Sequence, residues 1–207
     1  MQNAITKICK MTSVIPLIEL NNHQIAKPLA QTLLAGGLST IEVTLRTPAA
    51  FKVLNEMAGV AESIGGVGTL IDPEDVQRAA NAGAQFAVSP GVTEDLITAC
   101  EKARLPLLPG ASTPTEIMLL LQKGFLIQKY FPAEASGGYS RLQAISQVFP
   151  QISFFPTGGI TEQNAANYLK LSNTICVGGS WVTPKKLVEA QDWNAIKKLA
   201  NDAKNLS

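Results

Sequence analysis

Residues 105–132 read LPLLPGASTPTEIMLLLQKGFLIQKYFP, and one full repeat of the fold lies within them. A short apolar run begins at Leu105. Thr113 then stands before Pro114, the order that places an N-cap residue ahead of proline at the first helical position. Glu116, three residues on, has capping-box spacing. Gly124 falls where the helix should end, and a second apolar run starts at Phe125. Strand, helix and strand follow one another at close to the shortest workable interval. Such a unit requires parallel strands joined by a right-handed crossover.

The same unit recurs along the chain. Apolar runs begin near Val14, Ile41, Ile64, Ala84, Leu105, Phe125, Ile152 and Thr174, at intervals of 20 to 27 residues. Thr47-Pro48, Asp72-Pro73 and Thr183-Pro184 repeat the helix-start signal, and Gly36 and Gly83 repeat the stop. Eight even repeats without a linker favour a closed (β/α)8 TIM barrel over a doubly wound open sheet. With 207 residues, the expectation is a single domain over 1–207 with short loops. An extra helix is expected over about 2–10 and another over about 192–204.

Composition narrows the function. The net charge is +1, from 17 basic and 16 acidic residues, so there is no basic excess to suit nucleic acid or an anionic membrane. No apolar run approaches the length of a membrane span or a signal peptide. Cys9, Cys100 and Cys176 are odd in number and widely spaced, which suits free, mostly buried thiols in a reducing cytoplasm. His23 is the only histidine, so a multi-histidine metal site is excluded. Its polar setting, Asn-Asn-His-Gln, reads as a helix start at the surface.

Barrel enzymes act at the C-terminal ends of their strands. In Ile41-Glu42-Val43-Thr44-Leu45-Arg46, alternation puts Ile41, Val43 and Leu45 on one face, under helices. Glu42, Thr44 and Arg46 share the other, towards the barrel interior. Buried charges there are either an interior ion pair or a working site. Lys129 is one of 13 lysines and stands in an apolar strand, Phe125 to Pro132, near its end. Such a lysine either snorkels to the rim or serves as a nucleophile. Only a neutral amine attacks a carbonyl, and for an ordinary lysine reaching that form at pH 7 costs about 4.6 kcal/mol. Apolar surroundings and a neighbouring cation both favour the neutral amine; the strand would supply the first and Arg46 the second.

Three glycine clusters complete the set. Gly65-Gly66-Val67-Gly68-Thr69 lacks dinucleotide-fingerprint spacing, but its glycines would let backbone approach a ligand, with the Thr69 hydroxyl at the rim. Gly158-Gly159 and Gly178-Gly179 close the seventh and eighth strands, where barrels commonly hold a phosphate on backbone N–H groups; each could also be a simple turn.

EVTLRT (42–47), GVGT (66–69), SPG (89–91), KYFPAE (129–134), PTGGI (156–160) and GGSW (178–181) occur in order across about residues 12 to 187. Together they resemble the 2-keto-3-deoxy-6-phosphogluconate aldolases, whose members often also cleave 4-hydroxy-2-oxoglutarate. The resemblance implies a (β/α)8 barrel, usually a homotrimer, and a Schiff-base lyase mechanism with no metal and no cofactor. It implies Lys129 as the Schiff-base lysine and Glu42 as the general acid/base. Arg46 and Thr69 match positions that hold the pyruvyl carboxylate; Pro90, Phe131 and Thr157 match the pocket lining; Gly158, Gly159, Gly179 and Ser180 match the phosphate cradle. Two positions depart from the pattern. Glu19 stands where some relatives carry an arginine near the phosphate, and Val67 replaces a commoner alanine. Competing readings are the aldolase for the galactonate epimer, a phosphosugar isomerase or epimerase, and a non-catalytic phosphate- or keto-acid-binding protein. The last two give Lys129 no task.

Overall fold

The computed structural model describes residues 2–206; Met1 and Ser207, the ends of the expected 1–207 domain, lie outside the described residues. Helix α1 (Gln2–Cys9) precedes strand β1 (Val14–Ile18). A 3-10 turn (His23–Ile25) then leads into α2 (Ala26–Ala35), followed by β2 (Thr40–Thr44), α3 (Ala50–Ala58) and β3 (Ile64–Gly68). Next come α4 (Glu74–Asn81), β4 (Phe86–Val88), α5 (Glu94–Lys102), β5 (Leu107–Leu108) and β6 (Gly110–Ala111). The chain continues through α6 (Pro114–Gln122), β7 (Ile127–Tyr130), α7 (Gly138–Val148), β8 (Ser153–Pro156) and α8 (Glu162–Leu169). It ends with β9 (Val177–Gly179), α9 (Lys185–Glu189) and α10 (Trp193–Lys204).

All ladders are parallel, as the crossover argument requires. They form two arcs, β5-β4-β3-β2-β1-β9 and β6-β7-β8. The expected fifth strand is broken into β5 and β6 at Pro109, which has no N–H to give a ladder. The Pro109 carbonyl still accepts the Lys129 N–H at 2.8 Å, so the chain carries the arc onward. At the other seam only single bridges, Phe154 to Thr174 and Thr157 to Gly178, join β8 to the last strand. The expected eighth strand therefore begins at Val177 rather than Thr174.

The core divides as a barrel demands. Ile15, Phe86, Val88, Leu108, Ile127, Phe155 and Cys176 form an inner cluster, closed by Ile5, Ile8 and Cys9 of α1. Most of these lie early in their strands, so α1 plugs the N-terminal end and the other end is the mouth. Ile41, Val43 and Val67 belong to the outer cluster beneath the helices. Val67 thus fills the outer core and does not narrow the interior.

Helix signals were realised unevenly. Thr113 and Glu116 form the capping box. Asp72 accepts from Glu74 N–H, with α4 starting one residue beyond Pro73. Thr47 and Thr183 do not cap at all: their hydroxyls donate to the carbonyls of Leu20, just past β1, and Leu17, within it. At the first stop signal Gly37 (φ 92) rather than Gly36 takes the left-handed conformation. His23 opens the 3-10 turn and is half-buried. All three cysteines are free and buried. Among the described residues no helix is long and apolar enough to cross a membrane.

Candidate active site

Strand β2 aims Glu42 and Thr44 inward, in register with Gly66 and Gly68 of β3. Thr44 is spoken for, donating its hydroxyl to the Ile18 carbonyl at 2.9 Å. Across the barrel, β7 aims Lys129 inward between Gly110 and Phe155. Lys129 Nζ donates to Glu42 Oε1 at 3.2 Å, with the two side chains only 6% and 1% exposed. The ammonium also stands 5.5 Å from the Phe131 ring centroid and 5.8 Å from that of Phe155. Desolvating two charges in this way brings little net stability, since an apolar pair of similar volume would serve as well. The pair therefore points to chemistry rather than to folding.

Gly68 explains how the carboxylate fits. A Cβ at that position would lie 2.6 Å from Glu42 Cγ and 2.7 Å from Cδ. At Gly68 the close approach admitted by the glycine-rich strand is to Glu42. Oε2 of Glu42 is buried and, among the described residues, has no hydrogen-bond partner, so one acceptor atom is left uncommitted. Cys176 lies close enough for Glu42 to act on it electrostatically. Its thiol is pushed well above the ordinary value, first by burial and then by Cys9 and Glu42.

Arg46 corrects one expectation. β2 ends at Thr44, and Arg46 lies at the rim, its side chain 52% exposed, paired with Glu19 at 3.7 Å. It is not the cation beside Lys129; the charged group in contact there is the Glu42 carboxylate. Once the strand has ended, strict alternation no longer fixes where a side chain points.

The remaining candidates gather around the same mouth. Thr69 follows β3 at φ 56, a left-handed conformation that is a true outlier for a β-branched residue. Pro90 is half-buried, its carbonyl tight against Gly110. Thr157 is buried, and its Oγ1 has no hydrogen-bond partner among the described residues. Gly158 (φ 100) and Gly159 (φ 78) follow in a left-handed turn that only glycine adopts readily. The Phe131 ring lies 3.2 Å, and the Glu134 side chain 2.7 Å, from where a Cβ on Gly158 and on Gly159 respectively would be. Glu134 N–H donates to the Gly158 carbonyl, and its carboxylate accepts from Tyr168 OH. The latter contact and burial both push the Tyr168 phenol upward, burial more strongly. Gly179 ends β9 beneath the Trp181 ring, and Ser180 is exposed. Ser180 and Glu19 line a cleft of about 530 Å³ beside the mouth that includes neither Lys129 nor Glu42. The Phe131–Pro132 peptide is cis.

Sequence reasoning missed Phe155 and the Glu134–Tyr168 contact. Alternation along β8 would have put Phe155 inside. No sequence pattern links residues 134 and 168. Among the described residues no group of three or more His, Cys, Asp or Glu side chains could hold a metal ion.

Residues 5–199 match the model of the KDPG and KHG aldolases. The chain belongs to this family. It is 45% identical to the KHG/KDPG aldolase of Escherichia coli K12 over 191 residues, covering 92% of this chain and 90% of that one. It superposes on the 2-keto-3-deoxy-6-phosphogluconate aldolase of Zymomonas mobilis ZM4, solved with 3-phosphoglycerate, at TM-score 0.95 and 38% identity, covering 100% and 98% of the two chains. The KDPG aldolase of Legionella pneumophila, with pyruvate captured as a covalent carbinolamine, superposes at TM-score 0.93 and 41% identity, covering 97% and 98%. The (β/α)8 architecture is shared with these relatives, and the family fits a small keto-acid substrate.

Proposed function

We propose that this aldolase cleaves 2-keto-3-deoxy-6-phosphogluconate to pyruvate and glyceraldehyde 3-phosphate, and 4-hydroxy-2-oxoglutarate to pyruvate and glyoxylate, through a Schiff base on Lys129. The observation that carries the reading is the buried Lys129–Glu42 contact at the mouth, with the Phe131 and Phe155 rings beside the ammonium. Glu42 takes a proton from the ammonium, and the freed amine attacks C2 of the keto acid. Proton return and loss of water give the protonated imine, an electron sink. Glu42, directly or through a water, then removes the C4 hydroxyl proton and the C3–C4 bond breaks. The aldehyde leaves, the enamine takes a proton at C3, and water releases pyruvate and restores Lys129. One carboxylate serves all these steps because its role reverses between them.

Arg46 and Thr69 hold the substrate carboxylate; Pro90, Phe131 and Thr157 line the pocket; Gly158, Gly159, Gly179 and Ser180 hold the phosphate. The relatives solved with pyruvate as a carbinolamine and with 3-phosphoglycerate support these two halves of the site. No metal or cofactor enters any step. The chain acts as one barrel domain, as its length and even repeats suggest, and its free, buried cysteines suit the cytoplasm; the resemblance implies a homotrimer, which light scattering tests. The substrate assignment is tested by pyruvate release from the phosphogluconate-derived keto acid, its galactonate epimer and 4-hydroxy-2-oxoglutarate. The first and third are expected to turn over. Preference for the epimer, or sugar-phosphate isomerisation without pyruvate release, would overturn it.

A further inference from the structure

We infer that Glu19 is a positioning residue for Arg46: it holds the guanidinium at the lip of the barrel and competes for it with the substrate's carboxylate. This rests on the reading of Arg46 as a carboxylate-binding residue. The juxtaposition is built by the backbone. Thr44 donates to the Ile18 carbonyl and Thr47 to the Leu20 carbonyl, both at 2.9 Å. Ile18 also pairs with Val43 in the β1–β2 ladder. Two hydroxyls from the segment that carries Arg46 thus clamp the carbonyls on either side of Glu19, and the two charged side chains face each other between the clamps.

Arg46 Nη1 lies 3.7 Å from Glu19 Oε2. Among the described residues this is the only ion pair found for either group. An arginine reserved for a ligand should stand free or face the interior. Here it faces a carboxylate 3.7 Å away, the same group it must grip on a keto acid. Capture of the substrate exchanges one carboxylate for another, so Glu19 weakens binding without touching the reacting atoms. At 57% exposure for Glu19 and 52% for Arg46, the competitor is mild. Its removal should tighten binding about two- to fivefold, the scale set by exposed pairs.

The test is the half-saturation concentration of pyruvate in borohydride trapping, with steady-state KM and kcat for cleavage alongside. Glu19→Gln is expected to lower the pyruvate half-saturation and KM about two- to fivefold and leave kcat near the parent value. Arg46→Ala is expected to weaken pyruvate, and Glu19→Gln made in that background should change nothing further. That absence of a second effect is the signature of action through Arg46. If Glu19→Gln leaves pyruvate binding unchanged while Arg46→Ala weakens it, the tether is wrong and the Arg46 reading stands. An equal gain with Arg46 already removed assigns Glu19 to a general field and also overturns the tether. If Arg46→Ala has no effect, the reading of Arg46 falls and takes this inference with it.

Discussion

Gly68→Ala places a methyl where the Glu42 carboxylate now stands. The added Cβ would lie 2.6 Å from Glu42 Cγ and 2.7 Å from Cδ, against about 3.5–4.0 Å for an ordinary carbon contact, so the side chain must retreat by about 1 Å. Glu42 is 1% exposed and its Oε1 is 3.2 Å from Lys129 Nζ, so a retreat of that size breaks the contact. A misplacement of about 1 Å costs on the order of a hundredfold in rate, about 2.7 kcal/mol of barrier. Overpacking should cost about 1–3 kcal/mol of stability, a fall of about 2–12 °C in the melting midpoint for a chain of this size. Steady-state pyruvate release, coupled to lactate dehydrogenase, reads the first quantity and a circular-dichroism melt reads the second. Gly65→Ala is the control, because its Cβ would meet Leu54 Cδ1 at an ordinary 3.4 Å; its kcat should match the parent. A folded Gly68→Ala enzyme with kcat within about threefold of the parent would refute the claim that Glu42 must sit where Gly68 admits it.

Lys129→Ala should lose nearly all cleavage activity while remaining folded; turnover retained in that variant points to another nucleophile. Thr113→Ala removes the N-cap of α6 and should cost about 1 kcal/mol, read from the urea midpoint. Burial pushes the Glu116 carboxyl upward, but hydrogen bonds from Ser112 and Thr113 outweigh it and leave the group below its ordinary value. A depressed carboxyl stabilises the fold above its unfolded pKa and loses that contribution as pH falls through the folded value. Glu116→Gln should therefore be less stable than the parent at neutral pH, with the gap closing in acid; a gap constant from pH 7 to pH 3 contradicts the assignment. The Cys100 thiol is pushed up to about 11 by burial and, secondarily, by Glu101. Together with the burial of Cys9 and Cys176, this should leave all three thiols unalkylated at pH 8 in the folded protein and reactive in denaturant.

The barrel was legible because its signals are local. Apolar runs, proline-led helix starts and left-handed glycines recur at one interval, and each reports on its own few residues. The pairing of Glu42 with the interior was equally legible, since period-2 alternation holds inside β2. Arg46 escaped for the opposite reason: it lies two residues past the strand, where alternation no longer sets its direction, and its side chain faces Glu19 at the rim. Thr47 and Thr183 escaped because their hydroxyls donate to the Leu20 and Leu17 carbonyls, and no local pattern announces a partner 27 or 166 residues away. Gly68 was read correctly as a point of close approach, but what approaches is a side chain from the neighbouring strand.

The central claim is that Lys129 forms the Schiff base, and borohydride reduction in the presence of pyruvate, followed by peptide mass spectrometry, tests it most directly. The peptide containing Lys129 should carry the reduced pyruvyl adduct, and the Lys129→Ala protein should carry none. An unmodified Lys129 peptide under turnover conditions, or an adduct on another lysine, would contradict it.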